Sequence, residues 1–148
     1  MDYKLELIIL SVSDVERAKA FYDKLDWRLD VDIKGEDGFR AVHYTPTGSA
    51  ASIIISNGLT DAAPGSTRGT YLVVDDVEAA RADIAARGIE ITEVFHEAEG
   101  GIPSVKTDGR TPGLAPERAS YFSFAIFQDP DGNEFILQEI TTRFPGRV

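Results

Sequence analysis

Val12-Ser13-Asp14-Val15-Glu16-Arg17-Ala18-Lys19-Ala20 returns, little changed, as Val74-Asp75-Asp76-Val77-Glu78-Ala79-Ala80-Arg81-Ala82, 62 residues further on. Each copy follows an apolar run, residues 5–10 and 71–74, and each opens a helix. Two copies at so long a period mean paired structural modules, since a solenoid needs roughly three or more short repeats. Two similar modules can enclose a cleft, and clefts take small molecules.

Working outward, residues 5–12 are rich in Leu, Ile and Val and read as a buried strand. Ser13 is the expected N-cap, with Glu16 closing a capping box. Val15, Ala18, Phe21, Tyr22 and Leu25 keep helical spacing, and the helix is expected to end near Asp26. Residues 27–33 alternate as a strand, and residues 39–45 and 51–56 read as two more, joined through Pro46-Thr47-Gly48. The first module, 1–56, is therefore β-α-β-β-β. Residues 57–68 hold Gly, Thr, Asp, Pro and Ser and read as a linker.

The second module, 69–140, repeats the order, with residues 141–148 as a tail. Residues 70–74 form a strand, Asp75 caps a helix, and Gly88 sits where a C′ glycine belongs. Strands are expected at 89–95, 121–127 and 134–140, the last two joined by the turn Asp129-Pro130-Asp131-Gly132-Asn133. Residues 97–119 break the symmetry, being rich in Gly and Pro with little periodicity. They read either as a lid or binding loop or as a disordered surface excursion.

Composition narrows the function. The 148 residues match one ordinary domain, and 43% hydrophobic residues suffice for a core without staples. No cysteine is present, which removes thiol nucleophiles, thiolate metal sites and disulfides. The N-terminus lacks a basic region followed by an apolar stretch, so no signal peptide is expected. No apolar run approaches the ~20 residues of a membrane span. A cytoplasmic protein is the expectation. The net charge of −10 opposes a phosphate backbone, which excludes nucleic acid as the expected partner.

The paired modules, the segment Val12-Ser13-Asp14 with Ala20-Phe21-Tyr22 and Leu25, and the Asp-Pro-Asp-Gly-Asn turn before the last strand resemble the vicinal oxygen chelate superfamily. That group includes glyoxalase I, extradiol ring-cleaving dioxygenases, fosfomycin-resistance enzymes and bleomycin-resistance proteins. The resemblance covers nearly the whole chain. It implies an α+β fold of two β-α-β-β-β modules whose curved sheets form an open cleft. It also implies four strand positions that carry His, Gln or Glu in metal-dependent members. Here those positions are Leu7, Ser52, Gly69 and Ile136. A divalent ion needs imidazole or carboxylate ligands, and a serine hydroxyl is a poor one. A slip of one residue brings in only one carboxylate, Glu6. Neither a metal nor another cofactor is expected. Glyoxalase, dioxygenase and fosfomycin-transfer chemistry then lack support, and the pocket of the metal-free, bleomycin-binding branch remains.

Strand parity names the candidate ligand-binding residues: Arg40, Tyr44, Ser52, Tyr71, Phe122, Phe124 and Ile136. Matching the two Pro-x-Gly turns puts Arg40, Val42 and Tyr44 on the face of Ser52 and turns His43 away. Arg40 either waits for an anionic ligand or pairs with a surface carboxylate. His96, beside the long loop, reads as a solvated residue or an acid/base group. No nucleophile motif is present, and no catalytic residue is assigned. The leading expectation is a metal-independent protein binding an aromatic or amphipathic small molecule. Two other readings stand beside it: a metal-free lyase or isomerase using Arg40, Tyr44, Tyr71 or His96, and a structural dimer with a vestigial cleft. Relatives commonly pair, so a homodimer is expected.

Overall fold

Both halves open with the strand and capped helix that the repeat predicts. The computed structural model describes Met1–Val148. In the first half, β1 (Leu7–Ser11) leads to α1 (Val15–Lys24), then β2 (Arg28–Lys34), β3 (Arg40–Thr45) and β4 (Ser52–Ser56). In the second, β5 (Thr70–Val74) leads to α2 (Val77–Ala86), then β6 (Phe95–Glu97), β7 (Arg110–Pro112), β8 (Phe124–Gln128) and β9 (Glu134–Glu139). The fold is α+β, with a four-stranded sheet ordered β1-β4-β3-β2 and a five-stranded sheet ordered β5-β9-β8-β6-β7. The parallel pairs β1–β4 and β5–β9 make both sheets mixed.

The chain divides into two units: Met1–Arg68 with Gln128–Glu134, and Gly69–Phe127 with Phe135–Val148. The first unit thus takes in the Asp-Pro-Asp-Gly-Asn turn from the second half of the chain. Asp129 is buried there. Its Oδ1 accepts the N–H groups of Asp131, Gly132 and Asn133 at 2.9–3.0 Å, and its Oδ2 accepts from Tyr22 Oη and Asn133 Nδ2. Burial first, and then the Asp129 charge, hold the Tyr22 phenol well above its ordinary pKa. Asn133 Nδ2 also reaches Ser11 O, and its Oδ1 accepts from Thr67 N–H.

The helix starts lie one residue later than expected. Asp14 is the N-cap of α1 and accepts from Arg17 N–H, while Asp76 caps α2 and accepts from Ala79 N–H. Ser13 instead donates its N–H and hydroxyl to Asp131, at 3.1 and 2.6 Å. The carboxylate beside that helix start is favoured by the α1 dipole. Gly88, at φ +82, follows the C-cap of α2 as expected.

The second half departs further. The strand expected at 89–95 is only an isolated bridge, Ile91 to Phe127, and pairing begins at Phe95. Residues 97–119 are neither structureless nor one long loop. A hairpin, β6–β7, pairs Phe95 with Pro112 and Glu97 with Arg110, and a 3₁₀ turn follows at Pro116–Arg118. Glu117, Arg118 and Tyr121 take positive φ angles of 57°, 50° and 82°. Arg118 is held by the fully buried Glu139, to which its Nε and Nη2 donate at 2.9 Å. The same carboxylate accepts the first N–H of α2, from Val77.

The Arg118 hydrogen bonds hold the Glu139 carboxyl below its ordinary pKa of 4.5. A depressed carboxyl pKa stabilises the folded state fully above the unfolded value and ceases to do so as pH falls through the folded one. Glu139→Gln is therefore expected to lower stability near neutrality by about 1–3 kcal/mol. The difference from wild type should narrow as the pH drops below 4.5. Urea unfolding across that range checks it, and a gap that stays constant down to acid pH would contradict it.

Candidate functional site

In the first unit, the register decides which side chains share a face. Tyr44 pairs with Ile53 and Val42 with Ile55, and these lie alongside Ile8 and Leu10. This row faces α1: the Tyr44 ring lies 5.7 Å from that of Tyr22, and its hydroxyl donates to Asp23 at 2.9 Å. Arg40 is on the same side. Its Nε and Nη2 form a two-point pair with Asp32 at 2.8 and 2.7 Å, and its Nη1 donates to Glu16 on α1. Every guanidinium nitrogen is engaged, so Arg40 does not wait for an anion.

The opposite row runs Val31, His43, Ile54 and Ile9, flanked by Thr45, Ser52 and Leu7. Ser52 Oγ and Thr45 Oγ1 bond at 2.7 Å. His43 is thus on the face of Ser52, and Arg40, Val42 and Tyr44 are not, the reverse of the sequence expectation for β3. The cause is loop length. Six residues separate β3 from β4, whereas five separate β8 from β9. One extra residue exchanges the faces of the preceding strand. The Nε2 atom of His43 is buried and has no hydrogen-bond partner.

These contacts give Arg40 a structural role. Arg40→Met is expected to destabilise the chain by about 1 kcal/mol through loss of the buried guanidinium's pairs with Asp32 and Glu16, whose exposed carboxylates water can solvate. Urea unfolding reads this out, and an unchanged midpoint would contradict it. Burial first, then the hydrogen bond to Asp23, raises the Tyr44 hydroxyl pKa, so it is no acid or base near neutrality.

In the second unit, parity holds. Phe95, Phe124, Ile126 and Ile136 form one buried cluster, with Tyr71 packed against it. Tyr71 is directly opposite Ile136, and Phe95 opposite Phe124, whose ring centroids are 5.9 Å apart. Phe122 precedes β8, half-buried, its N–H donating to Ala119 O. The other row of this sheet carries Leu72, Leu137 and Glu139, toward the start of α2.

Arg110 extends the aromatic group, its guanidinium carbon 4.9 Å from the Phe95 ring centroid. Glu97, opposite Arg110 in the hairpin, lies 3.9 Å from its Nε. Glu97 and Arg110 are absent from the expected contacts because residues 97–119 lack periodicity, and Phe95, at the end of the expected strand 89–95, is absent from them too. The glycines at 100, 101 and 109 were the available hairpin signal. His96 points its Nδ1 to Gly113 O at 2.9 Å, and since a carbonyl only accepts, that nitrogen donates.

The four positions implied for a metal do not fit one. Leu7 is directly opposite Ser52. Gly69 lies just before β5, and the residue opposite Ile136 is Tyr71. No set of three or more His, Cys, Asp or Glu side chains is placed to hold a metal ion. Nor is any helix long and apolar enough to cross a membrane.

Sheet order, repeat and turn agree with a known group. The Glyoxalase/Bleomycin resistance protein/Dioxygenase superfamily profile matches residues 4–137, and the chain belongs to this superfamily. Among solved structures, it is 28% identical to TnmS3, an antibiotic binding protein from Streptomyces sp. CB03234, with a TM-score of 0.68, covering 95% of this chain and 98% of that one. A glyoxalase/bleomycin resistance protein from the same Streptomyces strain is also 28% identical, with a TM-score of 0.64 over 92% of this chain and 100% of that one. A superfamily member from Sphaerobacter thermophilus DSM 20745 shares the fold at 23% identity and a TM-score of 0.63, over 93% and 98% of the two chains. No curated protein sequence matches the chain.

Proposed function

We propose that this protein binds an aromatic or amphipathic small molecule, without a metal, on the face of the second sheet that carries the aromatic cluster. The observation that carries the reading is the grouping of Phe95, Phe124, Ile126 and Ile136 with Tyr71 at its side. Apolar and aromatic walls with few polar groups are the usual make-up of a small-molecule site. Two further points support it. The strand positions used for metal in other members hold Leu7, Ser52, Gly69 and Ile136. And TnmS3, at 28% identity, is an antibiotic binding protein. The ligand contacts proposed are Tyr71, Phe122, Phe124 and Ile136 in the second unit. Arg40 and Tyr44 leave the ligand-contact set, because their polar groups are spent on α1 and β2.

The test is calorimetric titration of the chelator-treated protein with planar aromatic antibiotics. Phe124→Ala would empty a fully buried position and lower stability by about 3–5 kcal/mol, so it is a poor probe of binding. Phe124→Leu removes the ring and keeps most of the volume. It is expected to weaken binding by about 0.5–1.5 kcal/mol, the worth of an aromatic pair beyond area. Equal affinities for wild type and variant would contradict this placement of the ligand.

A further inference from the structure

Three of the chain's five non-glycine residues with positive φ fall within residues 117–121: Glu117, Arg118 and Tyr121. L-residues avoid this region, and for a bulky one such as Tyr121 the conformation is costly. Strain of this kind persists only where the surroundings impose it, and it gathers at clamps and switches. Here the imposing contacts come from two directions. Glu139 and Asp76 hold Arg118. Residues 141–144 hold the rest. Ser120 Oγ accepts the N–H groups of Thr141 and Thr142 at 3.0 Å and donates to Thr142 O at 2.7 Å. Phe144 stacks on Tyr121, with centroids 4.0 Å apart and planes 5° from parallel, and its N–H donates to Tyr121 Oη at 3.0 Å. Phe144 is 54% exposed and Tyr121 only 8%. Phe144 therefore lies on the segment from outside, and its removal does not empty the core.

The segment's position gives it a use. It leads directly into Phe122 and Phe124. Gln138, two residues beyond Ile136 on β9 and on the same face, donates its Nε2 hydrogen to Tyr121 O at 2.9 Å. The strained turn thus meets one end of the aromatic face. Phe95, Phe124 and Ile136 are buried in this arrangement, so a ligand reaches their side chains only when a segment beside them gives way. Residues 117–121 combine strain to release with a hold that lies on the outside.

We propose that residues 117–121 are a strained gate at one end of the aromatic face, latched shut by Phe144 on Tyr121. The gate rests on the binding function proposed above and adds the route by which a ligand enters. The latch stands or falls in the protein without ligand.

Hydrogen exchange of the ligand-free protein tests the latch. The Tyr121 amide, bonded to Glu139 O, reports opening of the segment, and the Leu137 amide, inside β9, reports opening of the sheet. In wild type the Tyr121 amide should exchange about tenfold or more faster than that of Leu137. Phe144→Ala removes the stacked ring and should speed Tyr121 exchange by about a further tenfold. Glu117→Gly keeps every latch contact and relieves one positive φ at an exposed position. It should slow Tyr121 exchange about threefold, because the relief in the closed state outweighs the freedom glycine gains in the open one. A Tyr121 amide that exchanges no faster than Leu137, or that both substitutions shift in the same direction, would overturn the proposal. Stopped-flow fluorescence with 2-naphthol then tests the gate. Its association rate should rise in Phe144→Ala and fall in Glu117→Gly, and one rate common to all three proteins would overturn the gate. If 2-naphthol does not bind, that counts against the binding function, and the exchange rates alone decide the latch.

Discussion

Asp129→Ala is expected to lower the unfolding free energy by about 3–5 kcal/mol, the range for breaking a buried charged network by removing one member. The carboxylate is buried and accepts five hydrogen bonds: three from the N–H groups of its own turn, one from Tyr22 Oη and one from Asn133 Nδ2. Removing it takes the partner from the buried Tyr22 Oη, Asn133 N–H and Asn133 Nδ2 donors and from the partly buried Asp131 N–H, while Gly132 N–H keeps the Asp129 carbonyl. It also frees the turn that brings Asp131 to the start of α1, where Ser13 and Arg17 donate to it. Natural domains hold about 5–15 kcal/mol in all, so a loss of this size is a large share of the total. Tyr22→Phe removes only one of the five bonds and should lose about 1 kcal/mol. Urea unfolding midpoints at constant m-value give both numbers. An Asp129→Ala variant no less stable than Tyr22→Phe would mean that the turn does not anchor the first unit.

Gly65→Ala is expected to be nearly as damaging, at about 3 kcal/mol or more. Gly65 has φ +76, and a Cβ there would sit 1.9 Å from the backbone oxygen of Asp131. A backbone atom cannot swing aside as a side chain would, so the turn itself must move. Its N–H also donates to Ser11 O, which ties the segment to β1. Gly69→Ala separates the two causes. Gly69 has nearly the same φ, +74, yet no atom lies within 4 Å of its would-be Cβ. It should lose only the conformational share, about 1–2 kcal/mol. Thermal melts of the two variants side by side make the comparison, and equal losses would contradict the clash.

Much of the fold was legible because the repeat carries its own punctuation. Val12–Ala20 and Val74–Ala82 each join an apolar strand to a helix cap, and each resists any other reading. The face of β8 was legible too, since Phe124 and Ile126 alternate cleanly. The face of β3 was not. Residues 40–45 are apolar or amphipathic on both sides, so periodicity could not choose, and the choice fell to the turn. Pro46-Thr47-Gly48 resembles Pro130-Asp131-Gly132, but residues 46–51 make a connection of six where residues 129–133 make one of five. That single extra residue moved Arg40 and Tyr44 onto the α1 side and His43 off it. The β6–β7 hairpin stayed hidden for a different reason. Three-residue strands offer too few positions for a period to show, and their pairing depends on tertiary contacts such as Arg110 over Phe95.

The measurement closest to the central claim is thermal unfolding of protein dialysed against EDTA, with and without saturating planar aromatic ligands, 2-naphthol and aromatic antibiotics among them. A ligand specific for the folded state at about one hundred times its Kd adds about 2.7 kcal/mol. For a domain of this size that raises Tm by several degrees. Metal-independent binding predicts that rise for at least one ligand, undiminished by EDTA. A rise seen only after a divalent metal is restored, or no rise with any ligand, would contradict it.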